Sequence, residues 1–155
     1  MPGRRGFGDE SWRLAQAGDG AGLHRAADLL LEGDTGDLRY DGHRARAFAL
    51  ALEGRVEDAL AALNAGWTRD WPFPSAFAAD TARVRLLADD PERALQALAL
   101  ATRGADRLDP GVPELLAEVA LRAPRLRGRV LRVALGGGTL RLRLRLALAA
   151  LRRRA

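Results

Sequence analysis

The chain has 155 residues, of which 48% are hydrophobic and 29% charged, a composition typical of a globular protein. It contains no cysteine, which excludes disulfide bonds, thiol nucleophiles and cysteine-based zinc sites. Residues 1–118 hold fourteen arginines and all twenty acidic residues, whereas residues 119–155 hold eleven arginines and no acid. We therefore expect a mildly acidic body and a strongly basic tail with a role of its own.

The N-terminal segment, residues 1–8, is rich in glycine and arginine and is predicted to be disordered. No apolar run of the kind found in secretory signals follows its arginines. The longest uncharged stretches are also far shorter than the roughly twenty apolar residues of a membrane span. We therefore expect a soluble, cytoplasmic protein.

Two short helices are predicted next. The first carries Trp12, Leu14 and Ala15 and ends at Gly18, and the second runs from about Leu23 to near Gly33 with its apolar residues at helical spacing. The Asp- and Gly-rich residues 33–42 are predicted to form a solvated connector, since they lack the ordered ligands of a calcium loop.

Residues 44–66 contain two amphipathic helical patterns with Gly54 between them. The apolar residues recur at i, i+3, i+4 and i+7 in both halves, namely Ala45, Phe48, Ala49 and Leu52, then Val56, Ala59, Leu60 and Leu63. Glycine tolerates the left-handed backbone of a helix end. The pattern indicates a helical hairpin, which cannot bury both apolar faces without similar neighbours.

A connector rich in aromatic residues and proline follows the hairpin, and Trp67, Trp71, Phe73 and Phe77 either fill a core gap or expose a partner-binding anchor. Ser75 is predicted to cap a helix that reaches about Ala88. Its predicted core side consists of Phe77, Val84, Leu87 and Ala88. A helix capped by Asp90, with Pro91 at its first position, comes next.

The turns between paired helices are expected at Gly18-Asp19, Gly54-Arg55 and Asp89-Asp90, spaced 36 and 35 residues apart. A period in the mid-thirties with two helices per unit is typical of stacked helical hairpins. Leu115, Leu116, Val119 and Ala120 indicate a further helix, which Pro124 should end.

Small residues recur where paired helices would touch, and together with the period they resemble the tetratricopeptide repeat family. The matching residues are Ala47, Gly54, Ala59 and Leu63 in one unit and Ala82, Ala94, Leu98 and Ala101 in the next. The resemblance implies an all-α fold over residues 9–135, with antiparallel hairpins stacked in a right-handed α-solenoid. It also implies a concave ligand surface formed by the first helix of each unit.

The last residues depart from this pattern. Leu126, Val130, Val133 and Ala134 predict a helix to about Leu135, and the three glycines at 136–138 then predict a linker to a basic tail, so that residues 136–155 form a separate segment. Leucine and arginine alternate from Leu140 to Leu146, which fits a strand as well as an amphipathic helix.

Residue types suited to catalysis are few. His24 and His43 have no neighbours at metal-ligand spacing, and the two serines, Ser11 and Ser75, have no partner residues of a hydrolase. We therefore predict no enzyme activity, no cofactor, no metal and no small-molecule substrate.

The leading hypothesis is a non-catalytic adaptor or scaffold that binds another protein. Its candidate contact residues are Arg44, Arg46, Trp67, Arg69, Trp71, Arg83 and Arg85. The alternative is binding to nucleic acid or to an anionic membrane surface through the tail. The candidate residues for that role are Arg141, Arg143, Arg145, Arg152, Arg153 and Arg154.

Overall fold

A computed structural model describes residues 6–33, 36–67, 74–103 and 108–136. Within these ranges the chain is all-helical and has no strand, as predicted. The predicted linker and tail from residue 137 onward lie outside the described residues. The helices are α1 (Gly6–Gln16), α2 (Gly20–Glu32), α3 (Gly36–Leu52), α4 (Val56–Gly66), α5 (Pro74–Leu87), α6 (Pro91–Thr102), α7 (Val112–Arg122), a short 3₁₀ helix (Pro124–Leu126) and α8 (Arg127–Gly136).

The chain divides into two compact units, which are described separately. Unit 1 is Met1–Pro72 and contains α1 to α4, and unit 2 is Phe73–Ala155 and contains α5 to α8. Adjacent helices pack against each other within each unit. The predicted repeat domain, residues 9–135, therefore has residues in both units.

Three turns of the same construction join α1 to α2, α3 to α4 and α5 to α6. The left-handed residue predicted at Gly54 is present, with φ of 78°, and the other two turns have one at the equivalent position, with φ of 72° at Gly18 and 55° at Asp89. In the second turn, the Gly54 N–H donates to the Ala51 carbonyl at 3.0 Å and the Arg55 N–H donates to the Leu50 carbonyl at 2.9 Å. Both bonds recur at the other two turns, so each helix ends in a Schellman motif.

The last residue of each turn also begins the next helix. The carbonyls of Asp19, Arg55 and Asp90 each accept a bond from the N–H four residues later. The Asp19 carboxylate accepts from the Gly22 N–H at 2.8 Å, and the Asp90 carboxylate accepts from the Arg93 N–H at 3.1 Å. Aspartate suits this position because its side chain satisfies an N–H that the helix leaves unbonded.

The core of unit 1 forms around α3, which packs against α1, α2 and α4. Phe48 is fully buried and packs edge-to-face with Trp12, with the two ring centroids 5.7 Å apart. Leu23 and Leu63 bring α2 and α4 into the same core. The predicted apolar faces are therefore confirmed in part, since Leu52, Val56 and Leu60 are only half-buried.

The prediction of a solvated connector at residues 33–42 is wrong from Gly36 onward, because α3 begins there. Tyr40 is buried, and Gly42 lies against α2 so closely that an added Cβ would be 2.8 Å from Leu31 Cγ. Burial of the tyrosine and close contact with α2 outweigh the weak helix propensity of this Asp- and Gly-rich segment.

In unit 2, α5 packs against both α6 and α7. The predicted core side of α5 is therefore only partly right. Val84 is buried, but Phe77, Leu87 and Ala88 are half-buried, while Ala79, Ala82 and Leu86 have no exposed surface. Ala79, Ala82 and Leu86 lie on one face of α5 and Val84 lies on another, so the helix is buried on more than one side, which a search for a single apolar stripe does not detect.

Ser75 is not the N-cap of α5, because the helix begins at Pro74. Its hydroxyl oxygen instead accepts a hydrogen bond from the Asp109 backbone N–H at 2.9 Å. This buried contact fastens the start of α5 to the segment that precedes α7.

The C-terminal helices follow the sequence prediction. The four predicted apolar residues of α7 are buried, and the helix ends at Arg122, just before Pro124. Leu126, Val130 and Ala134 are buried and hold α8 against the rest of unit 2. The predicted helix to about Leu135 is therefore confirmed.

Candidate protein-binding site

The two predicted contact arginines of α3 both bind carboxylates of unit 1. Arg44 Nη2 lies 2.8 Å from Asp41 Oδ1, one turn away on the same helix, and the Arg44 side chain is mostly buried. Arg46 Nη2 lies 2.6 Å from Asp28 Oδ1 on α2, and both of these side chains are open to solvent. Arg46 is therefore the more accessible of the two for a partner.

The predicted contact residue Arg83 lies in a buried charge cluster with Asp80 and Asp109. Its Nη1 is 2.7 Å from Asp80 Oδ1 and its Nη2 is 3.5 Å from Asp109 Oδ1, with 12% of the arginine and 2% of the Asp80 side chain exposed. The Gly111 N–H also donates to Asp109 Oδ1, at 2.9 Å. The contact between Arg83 and Asp109 connects α5 to the segment before α7.

Burial shapes the charges of this cluster. It raises the pKa of the Asp109 carboxyl above its ordinary value, an effect that Arg83 partly opposes. Burial also disfavours the charged form of Arg83, but Asp80 and Asp109 more than compensate and raise the pKa of its guanidinium. The charge of Arg83 is thus balanced inside unit 2. Arg85, two residues further along α5, is half-buried.

Of the predicted aromatic anchors, Trp67 is at the end of α4 and keeps 41% of its surface exposed. Its backbone N–H closes the helix by donating to the carbonyls of Leu63 and Asn64. Arg69 and Trp71 lie outside the described residues, as do the six tail arginines, and their roles stay predictions.

A groove that the sequence did not reveal runs between α6 and α8 of unit 2. It has a volume of about 370 Å³ and opens to solvent. Leu95, Ala99 and Val133 give it an apolar floor. Leu100 stands at its edge with 64% of its surface exposed. We call this feature the α6–α8 groove.

Two arginines, Arg103 at the end of α6 and Arg129 on α8, line the α6–α8 groove. Neither forms an ion pair with a carboxylate of the described residues. Nearby arginines of unit 2 differ, since Arg93 pairs with Asp90 and Arg125 with Glu92. The groove therefore combines an apolar floor with two arginines that have no ion-pair partner in the described part of the chain.

Both histidines make their observed contacts with residues of unit 1. His24 Nε2 lies 2.7 Å from Glu53 Oε1, and this hydrogen bond lowers the pKa of the Glu53 carboxyl. Burial lowers the pKa of His43, and the nearby Arg39 and Arg46 lower it further. Both histidines thus act within unit 1, His24 as a bridge and His43 as a packed side chain against Gly66.

The residues described by the structure contain no group of three or more acidic or histidine side chains able to hold a metal ion. Among the same residues, no helix is long and apolar enough to span a membrane. Comparison of the chain with known protein families, with characterised proteins and with solved structures gives no match.

Proposed function

We propose that this chain is a non-catalytic adaptor that binds another protein through tetratricopeptide-like helical hairpins. The observation that supports this is the repeated turn. Three helix pairs are joined by turns with the same hydrogen bonds, at sequence intervals of 36 and 35 residues. Regular hairpins of this length are typical of helical-repeat proteins, whose role is to present extended surfaces to partners.

In this proposal the hairpins are of the kind that forms a right-handed α-solenoid, and the first helix of a hairpin, such as α3 or α5, supplies the contact residues. Arg46 is the strongest candidate contact on α3, because its exposed ion pair with Asp28 can exchange for a partner carboxylate at little cost. Trp67 offers exposed aromatic surface of the kind that anchors interfaces. Arg83 contributes by holding α5 in place.

The polar contacts of the described residues favour a binding role over a catalytic one. Ser75, one of only two serines in the chain, accepts a backbone hydrogen bond that joins two elements. The buried charge cluster likewise joins α5 to the segment before α7. These groups are used to hold helices together rather than to activate a substrate.

A second candidate function is binding to nucleic acid or to an anionic membrane surface through the basic tail. Its support is the eleven arginines without an acid in residues 119–155. Such binding depends on counterion release or surface charge, so its affinity falls steeply as salt rises.

The test is partner capture from the source cell with the full chain, at low and moderate salt. It is run in parallel with a variant in which the six tail arginines from Arg141 to Arg154 are replaced by glutamine. The adaptor proposal expects both proteins to capture the same partner at both salt concentrations, and Arg46→Ala and Trp67→Ala to weaken that capture.

Two results would contradict the adaptor proposal. One is a captured partner that is lost when the tail arginines are replaced or when the salt concentration is moderate, which would favour the second candidate function. The other is turnover of a substrate by the purified chain that a single carboxylate or histidine substitution abolishes.

A further inference from the structure

We propose that the α6–α8 groove receives an acidic amphipathic helix of the partner protein. This inference rests on the proposed adaptor function and adds the location and chemistry of one contact surface. The surface lies on the second helix of a hairpin, α6, together with α8. It is thus separate from the first-helix surface that the family resemblance implies.

The apolar part of the groove sets the first requirement for its occupant. Leu95 is almost fully buried in the floor, whereas Leu100 at the edge is exposed. When a partner side chain covers the exposed leucine and the apolar floor, apolar surface is removed from water, which favours binding. The occupant must therefore present a row of apolar side chains.

The charge of the groove sets the second requirement. Arg103 and Arg129 line it from opposite helices, and no carboxylate of the described residues compensates either charge. Guanidinium groups bind carboxylates in paired hydrogen bonds, which gives both attraction and orientation. An occupant with glutamate or aspartate flanking its apolar row is therefore favoured.

The walls of the groove indicate why the occupant is helical. Both walls are α-helices, whose backbone groups are already bonded within each helix, and the described residues include no strand edge to which a partner strand could add. Recognition must then use side chains. A helix lying in a groove presents apolar residues at i, i+3, i+4 and i+7 along one face, with its charged residues beside them.

The basic tail is a poor occupant by charge. Its only charged residues are arginines, which Arg103 and Arg129 would repel. A second copy of the chain would instead have to supply an acidic segment from residues 1–118, where all the acids lie. The test below distinguishes these two occupants, the tail and a second copy, from a separate partner protein.

The test measures binding of labelled peptides to the full chain by fluorescence anisotropy at near-physiological salt. The probe is a peptide of about sixteen residues with leucines at i, i+3, i+4 and i+7 and glutamates beside them. One control peptide has arginine in place of each glutamate, and another has the same composition with its leucines dispersed around the helix. We expect the probe to bind at least about tenfold more tightly than either control peptide.

Matched variants separate the groove from general attraction to the basic tail. The double variant Arg103→Glu/Arg129→Glu should weaken probe binding about tenfold or more, since two attractions become repulsions. The control Arg25→Glu/Arg132→Glu changes the net charge by the same amount at exposed arginines that do not line the groove. It should change the affinity less than about twofold.

Two further measurements locate the apolar contact and the ion pairs. Leu100→Ala should weaken the probe severalfold, whereas Leu121→Ala, which removes a similarly exposed leucine outside the groove, should not. The arginine control peptide should gain affinity for Arg103→Glu/Arg129→Glu, because the charges are then exchanged between the two sides. Far-UV circular dichroism checks that the variants keep their helices.

The inference is overturned if both double variants weaken the probe equally, since the attraction then comes from overall charge. It is also overturned if a labelled peptide of residues 139–155 binds the chain and Arg103→Glu/Arg129→Glu weakens that binding, or if the chain self-associates through Arg103 and Arg129. These results would assign the groove to the tail or to a second copy. A partner that cross-links elsewhere on the chain, but not near Leu100, would leave the adaptor proposal standing and remove this one.

Discussion

Units 1 and 2 use the same turn but close their cores in different ways. In unit 1, neighbouring helices come close together at two glycines, because Gly42 packs against Leu31 and Gly66 packs against His43. A Cβ added to either glycine would lie within 3 Å of that side chain. In unit 2 the charge cluster of Asp80, Arg83 and Asp109 joins α5 to the segment before α7. The turn recurs because its backbone hydrogen bonds are local, whereas the way in which each core is filled can vary.

The surface charges differ as well. Two of the α3 arginines of unit 1, Arg44 and Arg46, bind carboxylates of their own unit. In unit 2, Arg103 and Arg129 line the α6–α8 groove without such partners among the described residues. Arg103 and Arg129 thus differ from Arg44 and Arg46 in leaving their charge open to a partner.

The largest expected effect is loss of the charge cluster. Asp80→Ala should lower the free energy of unfolding by about 3 kcal/mol, because the buried Arg83 loses its 2.7 Å ion pair and its charge is then less well compensated. Urea denaturation of the full chain measures this change. The control Asp28→Ala breaks the exposed pair with Arg46 and should cost less than about 1 kcal/mol. Equal effects of the two substitutions would contradict a special role for buried charge in unit 2.

The next effect tests the close glycine contact of unit 1. Gly42→Ala should destabilise the chain by about 1–3 kcal/mol, since the new Cβ would collide with Leu31 and Leu30. Gly128→Ala on α8 is the matched control, because no atom lies within 4 Å of the added Cβ. Because alanine has a higher helix propensity than glycine, Gly128→Ala should stabilise the chain by up to about 1 kcal/mol. A stabilising Gly42→Ala, measured by the same denaturation, would show that α2 and α3 are not so close.

A smaller pair of effects tests the equivalence of the turns. Asp89→Gly should stabilise by about 0.5–1 kcal/mol, because glycine adopts the positive φ of this position without strain. Gly54→Ala should destabilise the chain by about 1 kcal/mol, because alanine is strained at the positive φ of this position. No atom lies within 4 Å of the added Cβ, so no steric clash contributes to this change. Thermal denaturation measures both changes. Changes of the same sign would contradict a shared turn geometry.

The smallest effect is a pH dependence of unit 1. The pKa of His43 is lowered by burial and by Arg39 and Arg46, so the folded state binds a proton there less readily than the unfolded state. The neutral form of His43 therefore contributes to the free energy of unfolding at a pH above the ordinary histidine pKa of about 6.5. This contribution is lost as the pH falls through the lowered pKa of the folded state. Denaturation between pH 8 and pH 5 should show a steeper loss for the wild-type chain than for His43→Gln. Parallel profiles would contradict this assignment.

The sequence predicted the elements that depend on local chemistry. The three turns, the Asp90 cap and the end of α7 before Pro124 follow from backbone requirements of single residues, and all are present. The early part of α3 was not predictable, because burial of Tyr40 and the contact of Gly42 with α2 stabilise it. Local propensity contains no such information.

The candidate sites show the same division. The exposure of Arg46 and Trp67 agrees with their selection from the sequence as contact residues, although binding by them stays a prediction. The α6–α8 groove was missed because its two walls are separated by α7 in the sequence. Leu95 and Ala99 on α6 and Arg103 just after it, at intervals of four residues, were the available signal. It indicates a groove only when the neighbouring helix is known.

The most direct test of the adaptor proposal is photo-crosslinking in the source cell. A photoreactive residue is placed singly at Arg46, Trp67, Arg85 and Leu100, and at Leu121 as an exposed control outside the groove. The account predicts that one discrete protein is cross-linked from at least one of the first four positions and not from Leu121. No cross-linked protein from any of the four positions would contradict the adaptor proposal.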